Sequence, residues 1–399
     1  MTVKTGLDVL QANDFAQLAG QRVGLMTNPS AIDRQIRSAY RVLTDAPEVT
    51  MTALFAPEHG FAGAAPDAEI ITTTLDPRTG LPVHSLYGDI YRPSADMLAE
   101  LDLLVCDIQD IGVRYYTYTW TVSHILEAAG EHGVRVMILD RPNPLGGMIV
   151  DGPLLEMSQS SFVGRFPVPV RHGLTLGELA AMINVTWNPT PADLSVIHCE
   201  GWRRDMTWDT TGLPWVPPSP NMAHYDTLQQ YPGACLIEGT QLSEGRGTTL
   251  PFQIAGAPWI DAEALADQLN SEAWAASMGA RFRPHTFLPF HSKWTGQTCR
   301  GIHVHITDPT RWRSIDIWLG LIITIRAMYP DQFAWLPRHP DSGTQHFDRL
   351  IGTAWVRREI EASVEAGTTT GATLARFAAE WAEDCRAFEL TRRPFLYYD

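Results

Sequence analysis

The chain has 399 residues, which at about 150 residues per domain means two or three domains and excludes a single small module. Its 45 acidic residues against 30 basic ones leave a formal net charge of -15, the wrong sign for neutralising a phosphate backbone, so nucleic acid is excluded as a partner class. With 45% hydrophobic and 19% charged residues, the composition is that of a globular protein able to bury a large core.

The first 150 residues alternate short apolar runs with helical patterns. Strands are predicted over residues 21–28, 50–60, 101–110 and 134–144, each ending in polar residues. Between the last two, residues 117–132 place Val122, Ile125, Leu126 and Ala129 on one face, the spacing of a crossover helix. Largely apolar strands joined by helices imply a parallel sheet covered on both faces, so the amino-terminal part reads as a Rossmann-like, doubly wound α/β domain.

Residues 151–233 are rich in Pro and Trp, with one helix expected over 175–184 and an extended stretch at 215–222, where closely spaced prolines exclude helix. The apolar run 234–237 reads as a buried strand. Beyond it, a strand over 300–307 and helices over 261–277, 314–329 and 372–388 predict a smaller α+β carboxy-terminal domain, with the boundary near residue 225, an active-site cleft between the two domains, and no internal repeat.

Ligands of open parallel sheets bind beyond the carboxyl ends of the strands. Glu58, Asp107, Asp110 and Asp140 stand at three such ends. An aspartate there also serves as a cap or turn former. Glutamate is a poor turn residue, and Glu58, wedged between Pro57 and His59-Gly60, is the leading catalytic candidate. Residues 238–249 set Glu238, Glu244 and Arg246 among glycines that let backbone approach a ligand. Two carboxylates from separate segments supply the acid and the nucleophile or base of glycoside hydrolysis, and spacing does not choose the pair.

Residues 111–120 carry Arg114, Tyr116 and Tyr118 to the start of the crossover helix, where anionic groups are favoured. Arg141, Arg171 and Arg246 occupy comparable loops, and each guanidinium is a candidate clamp for a substrate carboxylate or a partner for the chain's own acids. The 13 Trp, 11 Tyr and 14 Phe suit a sugar-binding cleft. No dinucleotide fingerprint, phosphate loop or serine-hydrolase elbow occurs, so no cofactor is expected. His303 and His305, two apart on a predicted strand, are the best metal candidates, but no third ligand lies nearby in sequence and no metal is expected.

In order along the chain stand Phe55-Ala-Pro-Glu-His-Gly-Phe, Asp107-Ile-Gln-Asp-Ile-Gly-Val-Arg-Tyr-Tyr-Thr-Tyr, Leu139-Asp-Arg-Pro-Asn-Pro-Leu-Gly-Gly, Arg171-His-Gly-Leu-Thr-Leu-Gly-Glu, Pro218-Ser-Pro-Asn-Met and Glu238-Gly-Thr-Gln-Leu-Ser-Glu-Gly-Arg-Gly-Thr. Together they resemble the exo-lytic β-N-acetylmuramidase family of peptidoglycan hexosaminidases, over nearly the whole chain. The resemblance implies release of non-reducing terminal N-acetylmuramic acid from peptidoglycan fragments. It also implies catalytic roles among Glu58, Glu238, Glu244 and Asp107. Substrate contacts are implied for His59, Asp110, Arg114, Tyr116, Asp140, Arg141, Asn143, Arg171, His172, Asn221 and Arg246. The lactyl carboxylate of muramic acid gives one of the arginines a ligand.

A non-catalytic sugar- or muropeptide-binding protein using the same cleft is the alternative. The expected partner is a small carbohydrate or muropeptide, with no nucleic acid and no membrane span, and the oligomeric state stays open. Relatives are often exported. The amino terminus here shows no basic segment followed by an apolar run, and the five cysteines form no Cys-x-x-Cys pair, so a cytoplasmic recycling role is expected.

Overall fold

The structure, a computed structural model, describes residues 2–63, 65, 73–340 and 343–399. It divides into two compact units, one of Met1–Ile149, His172–Ala223 and Glu389–Asp399, the other of Val150–Arg171 and His224–Phe388.

The first unit is built on a seven-stranded sheet in the order Thr74–Leu75, Pro82–Ser85, Thr50–Ala56, Arg22–Thr27, Leu103–Asp107, Arg135–Leu139, Leu194–Ile197. Every neighbouring pair is parallel except the edge pair Thr74–Leu75 with Pro82–Ser85. The chain leaves Arg22–Thr27 towards one edge, then returns to Leu103–Asp107 on its other side and proceeds to the opposite edge. The strand order therefore reverses between these two strands, which is where a doubly wound sheet opens its ligand crevice. The predicted crossover helix is Tyr118–His132, with Val122, Ile125, Leu126 and Ala129 all buried. It ends on Gly133 at φ 70°, the left-handed cap that glycine adopts without strain. Leu176–Thr186 starts from a complete capping box of Thr175 and Glu178.

In the second unit, Ile254–Ala257, Cys299–Ile306 and Ala280–Phe287 form an antiparallel sheet with Cys299–Ile306 in the middle. Asp151–Leu154 and Pro169–Arg171 form a separate antiparallel pair. The apolar helix Ser314–Met328 packs on Tyr225–Ala234. Gly233 lies so close to it that a Cβ would stand 2.1 Å from the Ser314 carbonyl.

Three expectations are corrected. Residues 234–237 are not a strand: they end helix Tyr225–Ala234 and begin the 3-10 helix Cys235–Gly239, since a four-residue apolar run has no period to separate the two. The helix expected over 261–277 is two helices, Ala262–Ser271 and Ala273–Ser277, broken at extended Glu272. The first stops where the Asn270 amide pairs with the Phe282 backbone, donating at 2.7 Å and accepting at 3.1 Å. The carboxy-terminal helix is longer than expected, Thr370–Arg392. No helix among the described residues is long and apolar enough to cross a membrane.

Candidate active site

Glu58 follows the inner strand Thr50–Ala56, next to the central one, and is half-buried. The turn that presents it continues through His59 at φ 68° and Gly60 at φ 76°. A non-glycine residue held at positive φ is strained, and His59 is held there by local pairing. Its Nδ1–H donates to the Ala65 carbonyl at 2.9 Å, while its own carbonyl accepts from the Ala65 N–H at 3.2 Å.

The partner of Glu58 comes from the crossover helix. Thr117 is the N-cap of Tyr118–His132, yet its hydroxyl makes no cap bond; it donates instead to Glu58 Oε2 at 2.7 Å. Among the described residues, the hydrogen-bond partner of Glu58 is thus a neutral hydroxyl and not a cation. One residue further on, Tyr118 donates to the Pro218 carbonyl, and Asn28 Nδ2 donates to Tyr118 Oη and to the Pro218 carbonyl, both at 3.0 Å. Burial first, and then the Glu58 and Asp110 carboxylates, push the Tyr118 phenol well above its ordinary range. Tyr116 stands edge-on to Tyr118 at 4.9 Å, and burial raises its phenol too. The carboxyl ends of three adjacent strands and the Pro218–Asn221 loop therefore converge on Glu58. Asn221 is half-buried in that loop.

Of the other strand-end acids, Asp107 and Asp140 are the most fully tied into the scaffold. Asp107, fully buried, receives Arg141 Nε at 2.6 Å and Nη2 at 3.0 Å; burial pushes its carboxyl up and this guanidinium pulls it back. Arg141 also donates to the Ile32 carbonyl at 3.1 Å. Asp140, also fully buried, accepts from Thr175 Oγ1 at 2.7 Å, Tyr398 Oη at 2.6 Å, and the Gly177 and Arg141 N–H groups at 2.9 and 3.0 Å. Burial still lifts it to about 6. Asp110 accepts from the Gly112 N–H at 2.7 Å and Thr119 Oγ1 at 3.3 Å, and burial raises it to about 6. Asn143 ties the loop after Arg135–Leu139, donating to the Leu174 carbonyl at 2.9 Å and accepting from the Leu145 N–H at 3.0 Å. Gly112, at φ 77°, lies against it so tightly that a Cβ would come within 2.4 Å. His172 is buried and its Nδ1 accepts from the Leu174 N–H at 3.2 Å, which places its proton on Nε2. Arg114 is 1% exposed, and burial lowers its guanidinium to about 10.

The second unit gathers its own charged cluster. Arg246 spans Glu238 at 2.6 Å and Glu244 at 3.3 Å, and Lys293 reaches Glu244 at 2.8 Å while donating to the Ile237 and Thr240 carbonyls at 3.0 and 2.9 Å. Glu244 is 1% exposed. Burial opposes ionisation of Glu238, but Arg246 and His346 outweigh it and hold the carboxyl at about 2, so this group is a carboxylate at any working pH. The Arg246 guanidinium sits 4.9 Å over the Phe252 ring. Arg171 is the cross-strand partner of Asp151, and burial lowers it to about 10. His303 and His305 accept from Arg283 at 3.1 and 3.4 Å. A guanidinium thus occupies the place a cation would take, and burial lowers His303 to about 4. Among the described residues no group of three or more His, Cys, Asp or Glu is placed to hold a metal ion.

Asn28 and Thr117 join the candidate residues only in the structure. Asn28 carries a legible signal, its position at the end of a predicted strand. The Thr117 hydroxyl carries none, since an N-cap threonine is expected to cap its own helix.

Residues 23–226 match the family described as exo-beta-N-acetylmuramidase NamZ, N-terminal, and residues 229–398 match its C-terminal counterpart. The chain is 40% identical over 396 residues to the peptidoglycan beta-N-acetylmuramidase NamZ of Bacillus subtilis (strain 168), covering 99% of this chain and 91% of that protein. Two crystal structures of DUF1343 family proteins from Bacteroides fragilis NCTC 9343 superpose on it, each covering 100% of this chain and 99% of the other. Their TM-scores are 0.88 and 0.74, at 34% and 30% identity. Fold and comparisons place the chain in a class of glycosidases built on a doubly wound sheet. It belongs to the exo-β-N-acetylmuramidase NamZ family, which both parts of the chain match.

Proposed function

We propose that the protein releases N-acetylmuramic acid from the non-reducing end of peptidoglycan fragments, with Glu58 donating a proton to the leaving glycosidic oxygen. The observation that carries this is the setting of Glu58, a half-buried carboxyl at the sheet crevice bonded to the Thr117 hydroxyl at 2.7 Å. A group that must deliver a proton needs access to substrate and freedom from a fixed cation. Asp107, Glu238 and Glu244 are each paired with arginine or lysine and lack that freedom.

Asp110 supplies the second carboxyl. It belongs to the same unit, and together with Glu58 it acts on the Tyr118 phenol. The lactyl carboxylate is taken by one of the arginines Arg114, Arg141, Arg171 and Arg246. The five cysteines are buried and none is in a disulfide, which supports a reducing compartment and a role in cell-wall recycling.

Two purified disaccharides of opposite order test the reading, one with N-acetylmuramic acid and one with N-acetylglucosamine at the non-reducing end. Mass spectrometry should find free N-acetylmuramic acid from the first and no cleavage of the second. Tight binding of the first without any release over a long incubation would overturn the catalytic assignment.

A further inference from the structure

Beside the Glu58 crevice, the first unit contains a cavity of about 920 Å³. The two share a wall. Asn28, which holds Tyr118 and Pro218 in place, lines the cavity, and so does Phe61, three residues after Glu58. Phe61 meets Tyr40 edge-on at 5.2 Å, and together they form an aromatic wall. Arg37 and Arg41 add polar groups at the same cavity, and both side chains are more than half exposed.

Two apolar lining residues sit on strained backbone, Phe15 at φ 55° and Ile36 at φ 62°. For β-branched Ile36 this is a genuine outlier. Buried Asp33 imposes it: its Oδ1 accepts from the Gln35 and Arg37 N–H groups at 2.9 and 2.8 Å, and its carbonyl accepts from the Ile36 N–H at 2.9 Å. Ile36 is nonetheless 64% exposed. A ligand that covers Ile36 would remove this apolar surface from water.

We propose that this cavity is the subsite for the leaving sugar. It receives the hexosamine beyond the scissile bond, with its C–H face on Tyr40 and Phe61, its acetamido methyl against Ile36, and its hydroxyls towards Arg37 and Arg41. The volume lies within the range of ligand pockets and suits a saccharide unit with its substituents. The assignment rests on the glycosidase reading of Glu58, which puts the scissile bond at the shared wall.

The test compares two substrates with N-acetylmuramic acid at the cleaved end: the disaccharide with a hexosamine leaving group, and an aryl glycoside with a small phenolate. Ile36→Gly and Phe61→Ala should each lower kcat/KM for the disaccharide about tenfold more than for the aryl glycoside. Ile36→Gly relieves the left-handed backbone, so its Tm should not fall; a loss of substrate discrimination in that variant is then not a folding defect. Equal effects on the two substrates, in both variants, would overturn the subsite. If the wild-type protein cleaves neither substrate, the glycosidase reading fails separately. Binding of the methyl glycoside of N-acetylglucosamine then decides: weaker binding by Ile36→Gly than by wild type supports the subsite, and equal binding refutes it.

Discussion

The acids of this chain fall into two kinds, and the difference lies in what holds them. Glu58 is half-buried and bonded to a hydroxyl. Asp107 and Glu244 are buried and paired with cations. Removing one partner of a buried pair leaves the other charge uncompensated, so Asp107→Ala or Glu244→Ala should each cost about 3–5 kcal/mol of unfolding free energy in urea titrations. Glu58→Gln should change stability by less than about 1 kcal/mol. Proximity to strand ends was legible in the sequence and singled out Glu58, Asp107, Asp110 and Asp140 alike. What separates them is not legible, because it depends on Arg141, Thr117, Thr175 and Tyr398, which reach them from distant segments.

The two main helices of the first unit each begin at a threonine with opposite duties. Thr175 Oγ1 accepts from the Glu178 N–H at 3.2 Å and caps Leu176–Thr186, whereas the Thr117 hydroxyl is diverted to Glu58. Thr175→Ala should therefore lower the unfolding free energy by about 1–2 kcal/mol, seen as a shift of the urea midpoint at constant slope. Thr117→Val removes no cap. It should lower turnover about three- to tenfold, with a smaller loss of stability than Thr175→Ala. Helices with a 3.6-residue apolar period, such as Tyr118–His132 and Ser314–Met328, were readable from sequence. Short elements such as Pro82–Ser85 and Leu194–Ile197 carry too few residues to show a period. Tyr225–Ala234 is masked by Pro232 within it.

Over the whole chain, the doubly wound sheet and the smaller α+β unit followed from alternating apolar runs and helical patterns. The edge strand Thr74–Leu75 and the pair Asp151–Leu154 with Pro169–Arg171 did not, since their pairing is decided by tertiary packing. Stability against pH should show two opposed kinds of carboxyl contribution, the raised kind including Asp140 as well as Asp110. Asp110, raised from 3.8 to about 6 by burial, binds a proton in the folded state that the unfolded chain has already released. Its contribution is fully present below the unfolded value and falls by roughly 3 kcal/mol as pH rises through this window. Glu238, lowered from 4.5 to about 2, contributes stability above its unfolded value that is lost as pH falls towards 2. Urea midpoints at pH 4 and pH 6.5 check the first term: Asp110→Asn should flatten the decline between them.

The central claim is that Glu58 delivers the proton to the leaving oxygen, and the disaccharide with N-acetylmuramic acid at the non-reducing end, whose sugar leaving group needs that proton, tests it most directly. General acid catalysis contributes about 10²–10⁴-fold, so Glu58→Gln should lower kcat by at least about a hundredfold while the protein keeps its wild-type Tm. Full turnover by Glu58→Gln on that substrate would contradict the account.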